Sequence, residues 1–169
     1  MAKTEKEFLD SKGIMLQMPH RYPFLLLDRI VEQSPGCCVA LKNVTINEWY
    51  FQGHFPGVPI MPGCLLAEAM AQAGNFLGKL SDSKDKNSMK VKEAFLLSSE
   101  AKFLKPVFPG DQLVITARLI SKSRDIIRFK SEAHVSKEVV ARGKFMALIK
   151  EDVESSVSAS FSEVFKGND

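Results

Sequence analysis

The chain has 169 residues, 45% of them hydrophobic and 25% charged, which suits a globular protein of one domain with a sizeable core. Its 23 Lys and Arg against 20 Asp and Glu leave a net charge of +3, a mild excess that excludes no partner class but favours docking of an acidic macromolecule. There is no apolar run long enough to span a bilayer, no secretory-type segment, no phosphate-binding glycine loop and no nucleic-acid motif. The three cysteines are Cys37, Cys38 and Cys64. Two are adjacent and poorly placed to bridge each other, and no zinc spacing appears. The expectation is a reduced, cytoplasmic protein with no metal and no cofactor.

Thr4-Glu5-Lys6-Glu7 has a capping-box pattern and predicts a short helix over 5–16, weakened by Gly13. The run Met18-Pro19-His20-Arg21-Tyr22-Pro23 ends it, because proline enforces extended or turn geometry, and His20 and Arg21 read as shaping that turn. Residues 24–32 and 37–46 predict two strands joined by a turn at Ser34-Pro35-Gly36, an antiparallel hairpin. Residues 47–51 then lead into the stretch that dominates the chain. Gly53, Pro56, Gly57, Pro59 and Pro62 make 53–62 a stiff loop with His54 inside it.

Pro62 suits a helix start, and the Leu, Ala and Met residues that follow predict a helix to residue 80. Its surface is apolar almost all round, the mark of a buried helix. The exceptions, Glu68, Gln72, Asn75 and Lys79, form one narrow stripe. That stripe reads either as a solvent face or as a functional one. Glu68 lies well inside the apolar part, where a carboxylate is expensive unless paired or used. Cys64 reads as a small buried hydrophobe.

Residues 81–92 have almost no apolar content and predict an exposed loop. Strands are then predicted over 93–104, 112–121, 126–135 and 139–149. In the third of these Ile127, Phe129, Ser131, Ala133 and Val135 alternate with Arg128, Lys130, Glu132 and His134, a half-buried antiparallel pattern. Two strands, a buried helix and a run of strands predict an α+β class, a curved antiparallel sheet wrapped around one central helix over residues 1–149. One sheet does not easily cover every side of such a helix, so a second protomer is the natural cover. The tail, 150–169, is serine-rich; Ser160-Phe161-Ser162-Glu163 could cap a short helix there, or the tail could fray.

Three blocks, PHRYPFLLLDRI at 19–30, KNVTINE at 42–48 and GHFPGVPIMPGCLLAEAMAQ at 53–72, closely resemble the 3-hydroxyacyl-[acyl-carrier-protein] dehydratases of fatty-acid synthesis. The resemblance runs from about 19 to 148 and implies the hot-dog fold. It also implies that His54 and Glu68 are the catalytic pair and that they meet across a dimer interface. Phe55, Leu65 and Ala69 would line an acyl tunnel, and the assembly would be a trimer of dimers. A bifunctional dehydratase/isomerase relative carries aspartate at the second catalytic position. Glu68 favours the plain dehydratase, whereas Cys64 looks like the bifunctional relative, so isomerase activity stays open. Hydratase, thioesterase and non-catalytic acyl-binding readings remain alternatives; the presence of both His54 and Glu68 disfavours the last.

These residue types suit the chemistry. Loss of water from a 3-hydroxyacyl thioester needs a base for the C2 proton, and histidine titrates nearest neutrality. It also needs an acid for the departing hydroxide, and a glutamate in apolar surroundings holds a proton. The N–H of Gly63, at the helix start, can polarise the thioester oxygen, and glycine lets the backbone approach closely. Gln72, one turn after Glu68, reads as orienting that carboxylate. The implied partner is an acidic acyl carrier protein. Lys102 and Lys105, at a strand end, are the docking candidates, while Lys84, Lys86, Lys90 and Lys92 read more simply as a solvated face. Neither nucleic-acid binding nor membrane insertion is expected.

Overall fold

The computed structural model describes residues 9–77 and 93–150. Helix α1 (Ser11–Gln17) begins later than predicted: Asp10 is its N-cap, and the carboxylate accepts the Gly13 N–H at 2.8 Å. The predicted cap at Thr4 lies outside the described residues. Arg21 closes the other end, its guanidinium donating to the carbonyls of Met15, Met18 and His20 at 2.7–2.9 Å.

Strand β1 (Arg29–Ser34) also starts later than the predicted residue 24. The apolar run before it is diverted by a turn at Tyr22–Pro23, a cis peptide. The N–H groups of Phe24 and Leu25 go to the Arg21 carbonyl, and that of Leu26 goes to the side chain of Gln72. With those donors committed, no ladder forms over 24–27.

Strand β2 (Cys37–Asn43) makes the predicted antiparallel hairpin with β1, Ser34 opposite Cys37. A 3₁₀ turn (Trp49–Gln52) leads through the proline loop to helix α2 (Gly63–Gly74). Strands β3 (Glu93–Phe103), β4 (Gln112–Ser123), β5 (Ile126–Val135) and β6 (Glu138–Lys150) follow. All pairings are antiparallel, in the order β1-β2-β4-β5-β6-β3. The predicted loop over 81–92 and the tail beyond 150 lie outside the described residues.

Helix α2 packs against β2, β3, β4, β5 and β6, burying Leu66, Ala69, Met70 and Ala73 against inward residues such as Ile115, Ile127, Phe129 and Ala133. Each large apolar side chain so buried contributes on the order of 2 kcal/mol. The β5 alternation read from the sequence sets Ile127, Phe129, Ser131 and Ala133 inward. An antiparallel sheet wrapped on one helix is the hot-dog arrangement, α+β in class.

Two expectations for α2 change. It ends at Gly74 rather than residue 80, and Asn75, Phe76 and Leu77 turn off through hydrogen bonds to residues three back. At Gly74 the helix lies against the Phe129 ring, so close that a Cβ there would sit 2.1 Å from it. As expected, the sheet does not cover the helix all round, but this changes the reading of Cys64. Cys64 is exposed rather than buried, and Ala67, Glu68 and Ala71 are only half-buried, because they lie on the side the sheet leaves open. Among the described residues no helix is long and apolar enough to cross a membrane.

Candidate active site

His54 is held by backbone on both sides. Its N–H donates to the Tyr50 carbonyl at 2.9 Å, and its carbonyl accepts the Ile60 N–H at 3.0 Å. Phe55 and Val58 exchange hydrogen bonds across the tight turn between. His54 Nδ1 lies 2.8 Å from the Ile60 carbonyl oxygen. A carbonyl can only accept, so Nδ1 carries the hydrogen and the neutral ring presents an unprotonated Nε2. The ring stacks on Phe55 with centroids 4.0 Å apart, across a cis peptide bond.

His54 lines a cavity of 330 Å³ together with Ile60, Gly63, Leu66, Phe103 and Lys105. Gly63 is the first residue of α2. The Pro62 carbonyl takes the N–H groups of Leu65 and Leu66, both at 3.0 Å, so those of Gly63 and Cys64 precede every helical acceptor and point out of the helix start. A Cβ on Gly63 would lie 3.1 Å from the Phe103 ring, so this approach is tight for any other residue.

Glu68 lies further along the same helix. Its Oε1 accepts from Gln72 Nε2 at 2.9 Å. Gln72 is 1% exposed and fully committed, since Nε2 also donates to the Phe24 carbonyl at 2.7 Å and Oε1 accepts the Leu26 N–H at 2.9 Å. Glu68, Gln72 and Asn75 line a second cavity, of 270 Å³, with His20, Phe95 and Phe129. The polar stripe is therefore not a solvent face as far as Asn75; Lys79 lies outside the described residues.

His20 is the member of this cavity that the sequence reading missed. Its Nε2 is 4.0 Å from Glu68 Oε1, its ring stacks on Phe24, and its Nδ1 is buried without a hydrogen-bond partner among the described residues. Burial lowers its pKa, the Glu68 charge raises it and Arg21 lowers it further, with burial the largest effect. The one signal for it was its place in the 19–30 block that carries part of the family resemblance.

Within one chain His54 and Glu68 thus line different cavities. Phe55 is exposed, Leu65 half-buried and Ala69 fully buried in the core, and none of the three lines either cavity. Lys102 is exposed on β3. Lys105 borders the His54 cavity and pairs with Glu138 at 2.7 Å. The 42–48 block is supporting structure: buried Lys42 pairs with Glu48 and donates to the Asn43 carbonyl, just before the 3₁₀ turn whose Tyr50 carbonyl holds His54. Among the described residues no three His, Cys, Asp or Glu side chains converge as metal ligands would.

Residues 18–144 match the FabA-like domain. The 3-hydroxyacyl-[acyl-carrier-protein] dehydratase FabZ of Geotalea uraniireducens (strain Rf4) is 48% identical over 144 residues, 85% of this chain and 98% of that protein. The enzyme of the same name from Oleidesulfovibrio alaskensis is 41% identical over 151 residues, 88% of this chain and 96% of that one. Among solved structures, the dehydratase heterocomplex ApeI:P from Xenorhabdus doucetiae aligns with a TM-score of 0.66 at 17% identity, covering 90% of this chain and 97% of that one. The E. coli PaaI protein aligns with a TM-score of 0.55 at 19% identity, over 70% and 80% of the two chains. At such identities these two likenesses speak for the fold alone. The sequence relatives go further, and the chain belongs to the FabA-like family and, within it, to the FabZ-type 3-hydroxyacyl-[acyl-carrier-protein] dehydratases.

Proposed function

We propose that the protein dehydrates 3-hydroxyacyl thioesters on acyl carrier protein to trans-2-enoyl thioesters in fatty-acid elongation, with His54 as base and Glu68 as acid. The observation that carries the residue roles is the pairing of a histidine with a free Nε2, beside two unspent N–H groups at the start of α2, with a carboxylate oriented by Gln72 on the same helix. His54 Nε2 takes the C2 proton while the Gly63 N–H polarises the thioester carbonyl, which raises the acidity of that proton. Glu68 gives its proton to the C3 hydroxyl, the C3–O bond breaks, and water leaves as the C2=C3 bond forms.

Because the two groups line separate cavities of one chain, each complete site takes His54 from one protomer and Glu68 from another. The half-buried Ala67 and Ala71 and the exposed Phe55, Val58, Phe103 and Leu104 support a second copy packed over α2 and the His54 loop. A dimer, further assembled as a trimer of dimers, is the proposed state. The acyl chain would lie between the protomers near Phe55 and Leu65. Lys102 and Lys105 would receive the acidic carrier, Lys105 standing at the mouth of the His54 cavity.

The test is incubation with 3-hydroxyacyl thioesters of several lengths, on carrier protein and on a small soluble thiol, with products resolved by double-bond position. Only trans-2 products are expected; a cis-3 product would make the enzyme an isomerase as well, and no enoyl product at all would sink the proposal. Reversing the charge of Lys102 and Lys105 should raise KM for carrier-bound substrate alone. Equal slowing of both substrates would argue against docking there.

A further inference from the structure

The reaction just described leaves His20 without a task, yet His20 faces the acid. The segment that carries it is fixed from both ends. Arg21 binds its carbonyl, and its ring stacks on Phe24, centroids 5.4 Å apart at 16°, whose own carbonyl is held by Gln72. Its Nε2 points at Glu68 Oε1 from 4.0 Å. Oε1 is also the oxygen that accepts from Gln72.

Among the described residues few other charges bear on this corner. Arg21 follows His20 on its own segment and spends its guanidinium on three carbonyls. The strands over the cavity supply Ala94, Phe95, Leu96, Phe129 and Ala147, all uncharged, and α2 adds only neutral side chains besides Glu68. Burial, the largest influence, keeps the imidazole neutral at neutral pH. In a neutral ring facing a carboxyl oxygen, the hydrogen belongs on the facing nitrogen, here Nε2.

We infer that His20 is a positioning residue for Glu68: with Gln72 it directs a second N–H at Oε1, which makes Oε1 the accepting oxygen and leaves Oε2 to carry and deliver the proton. This rests on the acid role given to Glu68 above. A carboxylic acid has one oxygen that accepts and one that bears hydrogen, and two donors on one side break the tie. The 4.0 Å separation exceeds a direct hydrogen bond, and contacts of this kind tighten once substrate fills the site.

The sign of the effect follows. The acid must be protonated to act, so its loss of a proton sets a basic limb on the kcat profile. A neutral donor at Oε1 favours the carboxylate modestly, and a fixed cation there favours it strongly. His20→Leu removes the donor: kcat should fall roughly 10-fold with KM little changed, and the basic limb of the kcat profile should move to higher pH. His20→Lys should also lower kcat at neutral pH but move that limb to lower pH. His20→Gln keeps a neutral donor and should recover most of the lost kcat.

Unchanged kcat and profile in His20→Leu would overturn the inference, as would a Gln variant no better than Leu. If His20→Leu does not fold, the Gln and Lys variants carry the test, and coincident basic limbs in those two would overturn it. A wild-type protein that dehydrates no 3-hydroxyacyl thioester overturns the proposed function and this inference together; an active wild type with indifferent variants overturns this inference alone.

Discussion

His54 has one nitrogen committed and one free, and that asymmetry says what its loss should do. His54→Ala removes a half-buried hydrogen bond to the Ile60 carbonyl, worth about 1 kcal/mol, so the protein should stay folded. Dehydration should fall by about 10²- to 10⁴-fold, because the base proposed for the C2 proton is gone. Glu68→Gln keeps an oxygen for the Gln72 N–H but has no proton to give, and should fall in the same range. The double variant should be little worse than either single one, since an acid and base that act in one step fail together. Turnover measured beside a thermal melt settles it: near-normal rates in a folded single variant would remove that residue from the mechanism. Both side chains were readable as candidates because the prolines and glycines around them make a long and unusual block. His20 was not. Beside Arg21 and between prolines it reads as part of a turn, and nothing local shows that the turn folds back onto a helix some 50 residues later. Cys64 was misjudged for a related reason: its helix is apolar, but whether one position faces sheet or solvent depends on how far the sheet reaches.

The placement of α2 depends on a missing side chain. A methyl group on Gly74 would collide with Phe129, which is 1% exposed and stacked on Phe145 at 5.2 Å, so neither ring has room to retreat. Gly74→Ala should therefore destabilise by about 1–3 kcal/mol despite alanine's better helix propensity. At this chain length that lowers Tm by roughly 2–4 °C for each kcal/mol. Phe129→Leu in the same chain should restore part of the loss, because the two sites share one volume. A Gly74→Ala melt at or above wild type would mean that the helix can shift away from the sheet. The same contact explains why the helix stops short of the length its composition suggests: apolar residues continue to Leu77, but the backbone turns once the helix meets the ring. Strand β5 was legible to its ends, because alternation over the nine positions 127–135 has few other readings, although a bulge after Ala133 breaks the inward pattern there. The segment at 24–27 was not. Its short apolar run resembles that of a buried strand, but its backbone donors are claimed by the turn and by Gln72, a helical side chain whose arrival no local pattern announces.

At the scale of the whole molecule, a site split between protomers makes a distinctive prediction. Mix inactive His54→Ala with inactive Glu68→Gln, then let subunits exchange. Half of the resulting dimers are mixed, and each mixed dimer has one site with both native residues, so activity should return to about a quarter of wild type. No recovery after exchange, verified by mass, would put both residues in one chain. The sheet order carries a consequence of a different kind. Strands β4, β5 and β6 are neighbours in sequence and in the sheet, joined by tight turns, so they can assemble as they emerge. Strand β2 must find β4, Cys37 opposite Arg118, across about 80 residues that include the whole of α2. Closing so long a loop early costs entropy before any pairing offsets it, which puts this chain among slow folders, on the millisecond-to-second scale. Until that closure, the hairpin and the meander are separate pieces, and α2 lacks the part of its cover that β2 supplies. Newly made subunits thus pass through an interval of exposure in which crowding by their own kind is hazardous, although the assembly proposed above needs its own kind to work.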